Sequence, residues 1–189
     1  MPSANAIFEA VKLALKEVFS LLSDGTLLTN PRFFEKILNG NGFAVGHRFE
    51  GLADGEVAEI YFENPQDSNK KVYIIAILVS STGKAFIDIY RNNSIATSGT
   101  KLEPVNLNFG SNNNSVVYAE YGGSYNLGDK VFDDLNPGGA KTKAIGWVSE
   151  VGESVIIPSG FNFVVAVTNK AGASADIAIR ILWWEEETI

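Results

Sequence analysis

Catalysis or metal binding needs groups that move protons, attack carbon or hold a metal ion, and this chain carries few of them. Among its 189 residues there is one histidine, His47, and no cysteine. Disulfides, thiolate metal sites and thiol nucleophiles are therefore excluded. A serine triad needs an imidazole base beside a nucleophile in a strained turn, and no Gly-x-Ser-x-Gly elbow is present. His47 lies in Phe43-Ala44-Val45-Gly46-His47-Arg48-Phe49. Strand alternation there groups it with Phe43, Val45 and Phe49, so it reads as a structural imidazole. One histidine without cysteine also falls short of the usual zinc set. No catalytic residue, metal ligand or cofactor is assigned.

Carboxylates are the remaining option. Asp133, Asp134 and Asn136 offer oxygens to a calcium ion, but the stretch from Asp129 to Asp134 lacks the EF-hand spacing. It reads as a solvated turn before Pro137-Gly138. A glycosidase needs two facing acids about 5–9.5 Å apart, and the sequence singles out no such pair. Trp183-Trp184-Glu185-Glu186-Glu187 suggests stacking on a ligand. Adjacent residues of a strand point to opposite faces, so one indole enters the core. Trp184 is left as a candidate contact for a ligand or partner. The acids that follow read as a solvated end. Asn92-Asn93-Ser94 and Asn113-Asn114-Ser115 match glycosylation sequons, which mean little without an export signal. Gly122-Gly123 and Gly138-Gly139 do not open helices and are not phosphate loops.

The elements that must position these residues fall into two parts. Residues 1–42 read as an N-terminal helical arm. Phe8, Val11, Leu15, Val18 and Leu22 recur at spacings of 3, 4, 3 and 4, which places one narrow apolar stripe along a helix and makes them the candidate assembly interface. A second short helix is expected at Pro31 to Leu38, capped by Asn30 and ended near Gly40. Asn39-Gly40-Asn41-Gly42 reads as a flexible joint.

From Phe43 the pattern changes to period two. Strands are expected at 43–50, 56–63, 71–80, 84–91, 115–121, 141–148, 154–157, 161–169 and 174–184. The last is the clearest: Ala175, Ile177, Ile179, Ile181 and Trp183 form a core face. Residues 71–80 are apolar on both parities, as a central or covered strand should be. Turn residues such as Ala53-Asp54-Gly55 and Pro158-Ser159-Gly160 punctuate the strands. Two long connections, 92–114 and 122–140, interrupt them. The expectation is a mainly β protein: an antiparallel, jelly-roll-like β-sandwich over residues 43–189, carrying the helical arm.

Composition narrows the function. Lys and Arg total 15 against 22 Asp and Glu, a net charge of −7, which argues against a direct nucleic-acid partner. No apolar run reaches the ~18–20 residues of a membrane span. Met1-Pro2-Ser3-Ala4-Asn5 has no basic leader region, so the expected place of synthesis is the cytoplasm, without an export signal.

Two ordered stretches carry a resemblance. One runs from Tyr90-Arg91-Asn92-Asn93-Ser94 through Gly99-Thr100-Lys101-Leu102-Glu103-Pro104-Val105-Asn106-Leu107-Asn108 into the Asn/Ser run Ser111 to Ser115. The other runs from Ile156-Ile157-Pro158-Ser159-Gly160-Phe161-Asn162-Phe163 to Thr168-Asn169 and on to Trp183-Trp184-Glu185. Over roughly residues 70–186 the chain resembles the C-terminal β-domain of small virion structural proteins of tailed bacteriophages. Phe163 and Trp184 stand where tyrosines are usual in that family, changes that keep an aromatic body and lose a hydroxyl. The resemblance implies a non-enzymatic virion component, a head-decoration or vertex-type protein, and leaves an attachment role at the tail open. The expected partners are its own copies, with a trimer favoured, and the major capsid or another virion protein. The alternative is a carbohydrate- or receptor-binding sandwich module of a tail or surface appendage.

Overall fold

The computed structural model describes residues 32–138, 147–149 and 155–188. Phe8, Val11, Leu15, Val18 and Leu22, and with them the N-terminal stripe, lie outside the described residues. Contacts group Lys36–Ile189 as one compact unit.

Helix α1 spans Arg32–Leu38. It stops because Gly40 takes φ +72°, which costs a glycine little. The Gly40 and Asn41 N–H groups then close back on Ile37 O at 2.9 Å and Lys36 O at 2.8 Å, the paired bonds of a Schellman end. The Asn39–Gly42 run is not a loose joint. Asn41 O accepts from Glu185 N–H at 3.0 Å, and Gly42 O accepts from Leu107 N–H at 2.9 Å.

The strands are β1 Gly42–Leu52, β2 Val57–Asn64, β3 Lys70–Ser81, β4 Ala85–Arg91, β5 Ser94–Thr97, β6 Thr100–Leu102 and β7 Val105–Asn106, followed by β8 Tyr118–Tyr121, β9 Ser124–Asn126, β10 Asp129–Asn136, β11 Trp147–Ser149, β12 Val155–Ile157, β13 Phe161–Asn169 and β14 Ala175–Glu187. One sheet has the order β11-β3-β14-β1-β7, with β12 also on β3; the other has the order β10-β4-β13-β2-β8-β6. All pairings are antiparallel. The principal strands cross repeatedly between β1-β14-β3-β12 and β2-β13-β4-β10, which is the jelly-roll form of a β-sandwich.

The core lies between the sheets. Ile177, Ile179, Ile181 and Trp183 of β14 meet Ile60 and Phe62 of β2 and Val165 and Val167 of β13, all buried. The apolar character of β3 on both parities has a local cause. Trp183 pairs with Ile74 and Leu182 with Ala76, so Ile75 is an extra residue that forms a bulge. Side chains change face across it: Val72 and Ile74 before it, and Ile77 and Val79 after it, all enter the core.

Both long connections hold strands. Residues 92–114 contain β5, β6 and β7, and 122–140 contains β9 and β10. Asp133 and Asp134 are therefore in an edge strand, paired with Asp88 and Ile87, and not in a turn. Seven of the eight β10 residues are exposed, so no buried face imposed alternation on that sequence. The strand expected at 115–121 is confined to β8. Of the one expected at 141–148, Trp147 and Val148 are seen in β11 and the rest lies outside the described residues.

Candidate functional site

His47 is half-buried on β1. Its ring stacks on Tyr121 with centroids 3.6 Å apart, and meets the edge of Phe49 at 4.8 Å. Burial holds its pKa below the ordinary imidazole value. Trp183 is fully buried and packs against Phe43 and Phe62. Trp184 is 2% exposed. It stacks on Tyr73 at 3.7 Å, and the Lys36 ammonium lies 4.9 Å from a ring centroid.

Glu185 is not part of a solvated end; it is 1% exposed. Its Oε1 accepts from the Ser115 hydroxyl at 2.6 Å, Val116 N–H at 3.1 Å and Trp183 Nε1–H at 3.2 Å. Lys70 Nζ donates to Oε2 at 3.2 Å. Four donors on one buried carboxylate fasten the loop before β8 to the last strand.

A second polar cluster lies on the outer face of the β2–β8 pair. Tyr61 donates to Glu63 at 2.9 Å, and Tyr118 donates to the fully buried Glu120. Burial, then the bond to Glu63, pushes the Tyr61 hydroxyl above its ordinary range. The bond to Glu120 is the first cause that pushes Tyr118 up to about 12. Tyr125 is raised too, by burial and then by the Glu120 charge. The β5–β9 ribbon packs on this face through Ile95 and Tyr125. The ring planes of Tyr125 and Tyr61 stack at 5.6 Å. The cluster fastens a third layer to the sandwich. Among the described residues no group of three or more His, Asp or Glu is placed to hold a metal ion.

The feature that faces outward is apolar. A cavity of about 410 Å³ opens between the sheets where β10 and β12 form opposing edges. Buried Ile74, Ile77 and Phe163 form its floor. Its rim stands in water: Phe132 is 49% exposed, Ile156 48% and Phe161 53%. Two polar residues stand in its wall. Arg91 Nε lies 3.4 Å from Asp129 Oδ2, and Asn162 Oδ1 accepts from Asn93 N–H at 2.8 Å. An aromatic rim above a hydrocarbon interior can take an apolar group from a partner.

A second outward feature is Phe109, 88% exposed. Its loop is built from asparagine bonds. Asn106 Nδ2 donates to Gly40 O at 2.9 Å and to Asn113 O at 3.0 Å. Asn108 Nδ2 donates to Leu38 O at 3.0 Å, and Asn108 Oδ1 accepts from Gly110 N–H at 3.1 Å.

Sequence reading missed Phe132, Ile156, Phe161 and Phe109. The available signals were an apolar pair, Val131-Phe132, without alternation around it, and a phenylalanine inside an uncharged Asn/Ser/Gly run. No protein-family model matches the chain, and no curated protein is significantly similar to it.

Proposed function

We propose that the chain is a structural subunit of a virus particle, a head-decoration type of virion protein that binds its own copies and a capsid lattice through apolar surfaces. The observation that carries this reading is the exposed rim of Phe132, Ile156 and Phe161 around an apolar cavity. Clustered hydrocarbon in water is a standing free-energy cost that assembly removes, at about 25 cal/mol per Å² covered. Acidic net charge suits a shell surface that faces solvent rather than packaged nucleic acid. The likeness of residues 70–186 to phage virion β-domains points the same way. The alternative, a glycan-binding module, relied on Trp184 as its surface contact, and Trp184 is buried against Tyr73.

Size-exclusion chromatography with light scattering tests the reading. The wild-type chain is expected to run as a discrete oligomer, and Phe132→Asp combined with Phe161→Asp as a folded monomer with an unchanged circular dichroism spectrum. A wild-type chain that stays monomeric at every concentration and sediments with no capsid shell overturns it.

A further inference from the structure

We infer that copies of this chain join head to tail, with Phe109 of one copy inserted into the β10–β12 cavity of the next. The inference rests on the assembly reading above and names the contact it uses.

Phe109 is the most exposed large apolar residue described, yet its loop is not a slack one. Side-chain amides of Asn106, Asn108 and Asn113 bind backbone groups of the loop and of Leu38 and Gly40. Glu185 clamps its far end at Ser115 and Val116. A ring held out by a rigid loop has little backbone freedom left to lose on binding. The chain also carries no charge between Glu103 and Glu120. The loop can therefore enter an apolar surface without desolvating an ion.

The cavity has the matching character. Its floor is isoleucine and phenylalanine, and its wall amide, Asn162, is bonded to Asn93. An aromatic side chain suits such a floor, which offers it hydrocarbon contact on burial.

Position decides the symmetry. The Phe109 loop leaves β7 at one edge of its sheet, and the cavity lies at the other edge, beside β12. Strands β3, β14 and β1 stand between them. No copy can fill its own cavity with its own ring. A contact between two different patches is heterologous, and repeated with closure it gives a ring such as a trimer. Direct pairing of two β10 edges is the competing contact, and β10 is poorly suited to it. It bulges at Val131 and presents Asp133 and Asp134, the devices that blunt an exposed edge.

The test mixes two full-length variants. Phe109→Asp keeps the cavity and loses the ring; Ile156→Asp keeps the ring and spoils the rim. Each alone is expected to be monomeric by light scattering at concentrations where the wild type is assembled, with thermal midpoints close to wild type. An equimolar mixture is expected to give capped pairs of twice the chain mass, which grow no further. If Phe109→Asp assembles as the wild type does while Ile156→Asp does not, the inference fails and the assembly reading stands. If both are monomeric and the mixture does not pair, the contact is not heterologous and the inference fails. If neither variant alters assembly, the inference and the rim's role fail together.

Discussion

A half-buried histidine gives the chain a pH response. His47 is stacked on Tyr121 and held below its ordinary value of 6.5 by burial. The neutral ring is therefore the form the fold favours. Stability is fully present above pH 6.5 and is lost as the pH falls toward the depressed value, because the unfolded chain takes the proton first. Thermal melts from about pH 8 to about pH 5 should show this loss, and His47→Phe should remove that part of it. The ring's side of the sheet was legible from alternation with Phe43, Val45 and Phe49. Its stacking partner was not, because Tyr121 is distant in sequence and no spacing rule connects them.

At the scale of the element, β14 and its loop depend on Glu185. Replacing it by Ala strips the buried Trp183 indole N–H, Val116 N–H and the Lys70 ammonium of one shared acceptor. The expected loss is about 3 kcal/mol in urea denaturation. Glu50→Ala, which removes an exposed pair with Arg48, should cost less than about 1 kcal/mol. The strands best read from sequence are those with one buried face, β14 and β13 above all. Strand β3, read as central or covered, does lie between β14 and the β11 and β12 strands, but the bulge at Ile75, which decides which residues enter the core, leaves no composition signal. Strand β10 was invisible because exposure on both faces removes the alternation that marks a strand. The asparagine loop was legible as a loop but not as a built one. Its order comes from side-chain bonds to Leu38 and Gly40, more than sixty residues earlier in the chain.

For the whole molecule, the proposed contacts are hydrocarbon, and they predict how assembly responds to conditions. Raising salt from about 0.1 M to about 1 M should weaken self-association by less than about tenfold, since few ion pairs are screened. Cooling should weaken it, because apolar association loses its driving force in the cold. Sedimentation velocity at two salts and two temperatures checks both. Ionic assembly would weaken by far more than tenfold over the same range of salt. One further consequence follows from the pairing of β1 with β14, Val45 opposite Ile181. As the polypeptide leaves the ribosome, β1 emerges long before its neighbour exists. The β1–β14 and β14–β3 pairs can zip only after synthesis has passed Glu187, so the nascent chain must hold an unmated hydrophobic seam through most of translation.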